Sequence, residues 1–133
     1  MSAKIDGEEW SATSVTGLFS ADSVDEENAL TLVGTKGSEE LSLVVSNDFG
    51  GDEISIGNYE IGGIEENALL IFSTEEIFAV ALEGDITITK FDRRTGPIVS
   101  GTFNNIKLLD VISSDTIVIN DGVFENIIYF TVD

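Results

Sequence analysis

Cysteine and histidine are both absent from this sequence of 133 residues, and proline occurs only once. Without cysteine there are no disulfides, no thiolate zinc sites and no cysteine nucleophiles. The absence of cysteine does not determine the redox compartment, since an oxidising location permits disulfides but does not require them. Because histidine is absent as well, the chain cannot form the nucleophile–base pairs that are common in hydrolases. Catalysis in this chain would have to rest on carboxylates.

Basic residues are also scarce, because six Lys and Arg stand against 25 Asp and Glu, for a formal net charge of −19. Such a surface repels phosphate backbones and anionic lipids, so we expect no nucleic-acid partner. It favours cations, cationic partners and solubility. The simplest interpretation is a solvated acidic surface, which also suits a salty medium where screening shortens repulsion to about 8 Å or less.

Long apolar runs are missing too. No stretch approaches the ~20 apolar residues of a membrane helix, which predicts that the chain has no transmembrane segment. The opening Met1–Ile5 lacks the apolar region of a signal peptide. We therefore expect either a cytoplasmic protein or a mature form whose leader has been replaced by Met1. The length and the 42% hydrophobic content predict a single β domain over residues 1–133, with a core that needs no disulfide or metal.

Apolar and polar residues alternate with the two-residue period of a half-buried β-strand, as in the run 85–92 (DITITKFD). Turn residues punctuate this alternation, with hairpin signals at 6–7 (DG) and 120–122 (NDG). The run 123–130 is apolar on both faces, which predicts a central strand or one covered by neighbours. About ten strands joined by short connections predict an all-β fold, a mainly antiparallel β-sandwich or flattened barrel.

Several of these runs resemble a known family. They are GDITITKFD at 84–92, IVSGTF at 98–103, TIVINDGVFEN at 116–126, the opening SAKIDGEEW at 2–10 and, more weakly, GNYEI at 57–61. The pattern is similar to small Bacteroidetes lipoproteins that carry a domain of unknown function. The resemblance implies export and a lipid-tethered place in the cell envelope, in the periplasm or on the outer surface. It supplies no catalytic residue, and the leader and lipidated cysteine of that family are absent here.

One acidic stretch predicts a candidate calcium site. Asn47, Asp48, Asp52 and Glu53 gather oxygen atoms around two glycines. Hard cations such as Ca²⁺ prefer oxygen ligands at about 2.4 Å, and flexible glycines let a loop wrap around the ion. The spacing departs from the EF-hand pattern, and the alternative is a glycine-permitted turn with solvated charges. Ca²⁺ is the only cofactor that the sequence indicates.

Two aromatic residues are candidate ligand contacts. Trp10 and Tyr59 would stack on a sugar ring if they were exposed. The alternative for Trp10 is a core or sheet-edge anchor, because a buried indole contributes a large apolar area.

The sequence favours a non-enzymatic binding or structural module in the cell envelope, with a protein or saccharide partner and no catalytic residue. A carboxylate-based glycoside hydrolase is the alternative from another class, because acidic residues are abundant. A lipocalin-like carrier of an apolar ligand is a third, and it would require an apolar cavity of ~300 Å³ or more.

Overall fold

The computed structural model describes residues 1–21, 28–47, 54, 56–62, 68–92 and 97–132, and these residues form ten β-strands and no helix. The strands are β1 (Ser2–Ile5), β2 (Glu8–Ser11), β3 (Ser14–Ala21), β4 (Asn28–Lys36), β5 (Glu39–Asn47), β6 (Gly57–Ile61), β7 (Ala68–Ser73), β8 (Phe78–Asp92), β9 (Ile98–Asp110) and β10 (Thr116–Val132). Within those described ranges, no helix is long and apolar enough to cross a membrane. The predicted all-β class is confirmed.

Seven of the described strands pair into a closed ring, in the order β10, β3, β4, β5, β7, β8 and β9, after which β9 pairs again with β10. The β1–β2 hairpin adds to β10, and β6 adds to β8. Among the described pairings only β3–β10 and β6–β7 are parallel. The structure therefore confirms a mainly antiparallel fold, and the ring is consistent with a sandwich or a flattened barrel.

The parallel β3–β10 pair closes the ring. A parallel pair needs a long crossover, and almost the whole chain lies between these two strands. The strands approach closely at Gly17, where a side-chain carbon would lie 2.9 Å from Cβ of Tyr129. Short connections in the sequence indicate only which consecutive strands pair as hairpins. They do not predict the pairing of β3 with β10, which are far apart in the chain.

The three longest strands bend together at one level of the ring. The φ angle is positive at Gly84 in β8, at Asn105 in β9 and at Asp121 in β10, with values of 146°, 57° and 53°. Beyond the bend β8 changes its partner, pairing first with β7 and then with β6. Along the other edge of β10, β1 comes first and β3 follows. The neighbours of β8 and of β10 therefore change along the length of each strand.

The turn predicted at 120–122 is wrong, because this segment is an irregularity inside the continuous strand β10. Two asparagine side chains secure it. The Asn105 N–H donates to Oδ1 of Asn120 at 2.9 Å, and the Asp121 N–H donates to Oδ1 of Asn104 at 2.8 Å. Asn and Asp tolerate positive φ in bulges as well as in hairpin turns, so the local signal is the same for both.

Inside the ring, two glycines lie beneath phenylalanine rings of the neighbouring strand. Gly122 is opposite Phe103, and Gly101 is opposite Phe124. A Cβ atom at either glycine would overlap the facing ring. Both rings are fully buried and stack with their centroids 6.3 Å apart. The interior at this level is therefore filled by the protein's own side chains.

The turn between β9 and β10 is organised by the carboxylate of Asp110, a residue that is only 4% exposed. This carboxylate accepts hydrogen bonds from the Ser113 hydroxyl at 2.7 Å, the Ile112 N–H at 3.0 Å and the Phe78 N–H at 3.3 Å. The Ser113 hydroxyl, followed by the Ile112 N–H, holds the pKa of Asp110 below its ordinary value. The ionised carboxylate thus joins the end of β9 to the start of β8.

We expect Asp110→Asn to destabilise the protein near neutral pH, and the difference from wild type to shrink in acid. The folded pKa lies below the unfolded value of about 3.9. The carboxylate therefore contributes stability above that value and loses it as the pH falls through the folded pKa. Urea denaturation at pH of about 7 and about 2.5 measures the difference. Ser113→Ala should weaken the same pH dependence, and equal stability differences at both pH values would contradict the assignment.

Candidate functional site

The calcium candidate lies almost wholly outside the described residues. Asp48, Asp52 and Glu53 are not described, and of Asn47 only the backbone is, at the end of β5 opposite Asn28. The calcium site stays a prediction. Among the described residues, no group of three or more acidic side chains is placed to hold a metal ion.

Trp10 lies in the core, at 5% exposure. Its ring meets Phe72 edge-on with the centroids 6.2 Å apart, and it covers Gly34, where a side-chain carbon would lie 3.5 Å from Cη2 of the indole. The indole Nε1–H donates to Oε2 of Glu39 at 3.2 Å. A sugar ring stacks on an exposed aromatic face, and this indole faces protein. Its position fits the core-anchor interpretation, and we do not propose a stacking role.

Tyr59, the other predicted ligand contact, is half-buried on β6 and packs against the core. It lies opposite Ile86 of β8, whereas Trp10 packs against Phe72 of β7. The structure therefore places the two aromatic residues in different parts of the core.

Three carboxylates, those of Glu60, Glu83 and Asp85, line a surface groove of about 300 Å³ at the bend. Glu60 and Asp85 are directly opposite on β6 and β8, so their Cβ atoms lie about 5 Å apart. Asp85 accepts a hydrogen bond from Nδ2 of Asn58 at 3.2 Å, and Glu60 is exposed. A glycosidase needs one desolvated carboxyl group as its general acid, and an exposed Glu60 does not meet that requirement.

The outer surface around this groove is polar. The Thr87 hydroxyl donates to Oδ1 of Asn58 at 3.0 Å, and Nζ of Lys90 donates to Oδ1 of Asn126 at 3.4 Å. The Asn126 N–H donates to Oγ of Ser100 at 2.8 Å. We refer to the surface that carries these five residues as the polar face.

The outer surface across β10, β3, β4, β5 and β7 has a different composition. One row of directly paired outward residues crosses all five strands, and its members are Phe130, Leu18, Thr31, Val44 and Leu69. Phe130 is 67% exposed, Leu18 40% and Leu69 39%. Apolar side chains therefore reach solvent at both ends of the row, at Phe130 and Leu69, and also at Leu18 next to Phe130.

Two further rows extend this surface on either side. The second row runs from β3 to β9 through Thr16, Val33, Ser42, Ile71, Val80 and Leu109. The third and shortest row is formed by Ser20, Ala29 and Ser46. We define these three rows as the uncharged face, because none of their side chains carries a charge. Glu40 marks its border, one row beyond Ser42 on β5.

The sequence contained one signal of this face. The run 123–130 is apolar on both sides, and β10 is indeed central at its end, with β9 and β3 as neighbours. However, Ile128 is 62% exposed, like Phe130 beside it. The outward side of this strand thus remains open to solvent where the structure describes it. The rest of the face could not be read from the sequence, because it depends on which strands lie side by side.

The fold and the surface define an all-β, mainly antiparallel domain with one polar and one uncharged outer face. A family model described as Domain of unknown function (DUF6252) matches residues 1–128. The chain belongs to this family. The expected resemblance to a domain of unknown function is thereby confirmed. No curated protein and no solved structure matches the chain.

Proposed function

We propose that this chain is a non-enzymatic binding or structural module of the cell envelope, and that the uncharged face is its binding surface. One observation carries the proposal: a chain with a net charge of −19 presents three outward rows without a charged side chain. Exposed apolar surface bordered by polar residues is typical of interaction sites, because large uncovered apolar patches are rare on monomeric proteins.

The envelope location rests on the sequence resemblance to small lipoproteins, in the runs 2–10, 84–92, 98–103 and 116–126. A tethered protein would be held close to the membrane surface, where its acidic side chains are repelled by anionic lipids. Fractionation of the source cells tests this location, and recovery of the natural protein only in the soluble cytoplasmic fraction would contradict it.

The carboxylate hydrolase is the second candidate, and the cross-strand pair of Glu60 and Asp85 is the observation that favours it. We rank it lower because Glu60 is exposed, whereas the general acid of a glycosidase lies in a desolvated pocket. Hydrolysis of a nitrophenyl glycoside by the wild type, abolished in Glu60→Gln, would overturn the non-enzymatic proposal.

The binding surface is tested with Nile red, a neutral probe that the acidic surface does not repel. We expect its fluorescence to increase with the wild type and to fall several-fold with the double variant Leu18→Lys/Phe130→Lys, because the two lysines interrupt the most exposed row of the uncharged face.

The matched control is Thr89→Lys/Glu125→Gln, which changes the net charge by the same amount at exposed positions near Ser100 and Asn126 of the polar face. It should bind Nile red as the wild type does. Equal fluorescence in the wild type and the Leu18/Phe130 variant would rule out the uncharged face as the binding surface.

A further inference from the structure

A depression in the polar face lies where both neighbours of β9 depart from regular pairing. β8 has one extra residue, Thr89, between the residues that pair with Gly101 and Ser100. β10 also has one extra residue, between Phe124 and Ile127, in the stretch opposite Ser100. A bulge bends its strand and re-aims the side chains beside it, and bulges are enriched next to functional sites. Here two bulges lie on either side of the same residue of β9.

We infer that this depression binds a neutral carbohydrate unit, either a free sugar or one residue of a glycan chain, through its hydroxyl groups. The proposed function places a binding surface on the uncharged face, and this inference goes beyond it by assigning a second site to the polar face. It follows from the size of the depression, from the hydrogen-bonding groups that line it and from their charge.

The depression is large enough for a small ligand, and its wall is held by hydrogen bonds. Its volume is about 310 Å³. Small-molecule sites span roughly 300–1,000 Å³. Nζ of Lys90 donates to Oδ1 of Asn126 at 3.4 Å, and the Asn126 N–H donates to Oγ of Ser100 at 2.8 Å. These bonds link β8 to β10 across β9, so the wall is ordered before a ligand binds, which lowers the entropic cost of binding.

The groups that line the depression include both donors and acceptors of hydrogen bonds. Within the described part of the chain, the hydroxyls of Thr89 and Thr102 and the carboxylate of Glu125 have no hydrogen-bond partner. The Ser100 hydroxyl accepts one bond and keeps its own hydrogen as a donor, and Asn126 keeps its NH₂ group as a donor. Each hydroxyl of a sugar both donates and accepts, so several neighbouring sugar hydroxyls match this set of groups.

The charge of the lining favours a neutral ligand. Glu125 is the only charged residue among the described residues that line the depression. A calcium ion takes about six to eight oxygen ligands, usually with several carboxylates, so one carboxylate does not hold it. The same carboxylate repels a phosphate group. For a sugar it is a strong charged acceptor, and the half-buried Val123 offers an apolar contact to the C–H groups of the ring.

Titration of the ¹⁵N-labelled chain, followed by NMR, tests the inference. Glucose, galactose and N-acetylglucosamine are added separately up to about 50 mM, a range that detects millimolar binding. We expect at least one of them to shift the backbone amide signals of Ser100, Thr102 and Asn126 saturably. Phosphate, calcium chloride and cyclohexanol, which present an anion, a cation and an apolar ring, should not. Maltotriose distinguishes the two sources of the ligand, since a site for a glycan chain should bind it several-fold more tightly than glucose.

The variant Thr102→Val/Glu125→Gln tests the lining groups. It removes one hydroxyl and one charged acceptor with little change in side-chain shape, and we expect the affinity for the sugar to fall about tenfold or more. The matched control Thr116→Val/Glu8→Gln makes the same two exchanges at exposed positions outside the depression, and it should bind the sugar as the wild type does. Circular dichroism confirms that each variant is folded.

Three results would overturn the carbohydrate site: no saturable shift with any of the three sugars, equal or tighter binding of phosphate, calcium or cyclohexanol at the same amides, or sugar binding that is undiminished in Thr102→Val/Glu125→Gln. These outcomes are separate from the Nile red test. Leu18→Lys/Phe130→Lys should lose Nile red and keep the sugar. A chain that binds Nile red through the uncharged face but binds no sugar retains the proposed function and loses only this second site.

Discussion

Gly122→Ala is expected to lower the free energy of unfolding by about 3 kcal/mol, which corresponds to a drop of roughly 10 °C in Tm. The added methyl group would overlap the ring of Phe103, which is fully buried and cannot swing into solvent. That ring is also stacked on Phe124, so its displacement would disturb a second buried aromatic residue. Urea denaturation followed by circular dichroism measures the effect.

Gly37→Ala is the matched control for this prediction. Gly37 has a positive φ of 61° and open space around its Cα atom, so alanine there causes only backbone strain of about 1 kcal/mol. Gly122→Ala should cost clearly more. Combining Gly122→Ala with Phe103→Leu should recover part of the loss, because the smaller side chain makes room for the methyl group. If Gly122→Ala cost no more than Gly37→Ala, close packing against Phe103 would not be the reason for the glycine.

Trp10→Ala is the second large expected effect, with a loss of about 3–5 kcal/mol. The substitution leaves a cavity over Gly34, removes the edge-on contact with Phe72 and leaves the Glu39 carboxylate without its indole donor. The protein is expected to unfold at a much lower denaturant concentration. Equilibrium denaturation monitored by circular dichroism avoids dependence on the tryptophan signal that the variant loses.

Trp10→Phe separates packing from hydrogen bonding. It retains an aromatic ring over Gly34 but loses the donor to Glu39, and we expect it to cost no more than about 2 kcal/mol. In the wild type, acrylamide should quench the fluorescence of Trp10 weakly, because the indole is 5% exposed. Strong quenching together with a small effect of Trp10→Ala would show that Trp10 is exposed, and its role as a ligand contact would then have to be reconsidered.

A local signal in the sequence predicted the first hairpin correctly. Asp6 and Gly7 form a turn with φ angles of 50° and 84°, as the Asp-Gly pair indicates. The same kind of signal misled at 120–122, where Asp121 takes a positive φ but the chain continues forward. Whether such a residue reverses a strand or only bends it depends on its neighbour. Here β9 runs alongside and bonds to both sides of the bend.

The uncharged face likewise depends partly on local sequence pattern and partly on the pairing of distant strands. Leu30 and Leu32 are fully buried, so the two-residue period of β4 turns Thr31 outward. No local pattern indicated that Leu18 and Phe130, from opposite ends of the chain, lie side by side. That contact comes from the parallel pairing that closes the ring, and the exposure of the row follows from it.

The sequence by itself determined the chemistry that is excluded and the period of the strands. A chain without Cys and His cannot form disulfides or the usual catalytic pairs, and a two-residue rhythm fits only a strand. Only the tertiary structure decided that Trp10 is buried, that one outer face is uncharged, and that carboxylates Glu60 and Asp85 meet across two strands. Composition and period are properties of each residue and its near neighbours, whereas these three facts depend on pairing between distant segments. Such pairing is selected by the packing of the whole core, which no short stretch encodes.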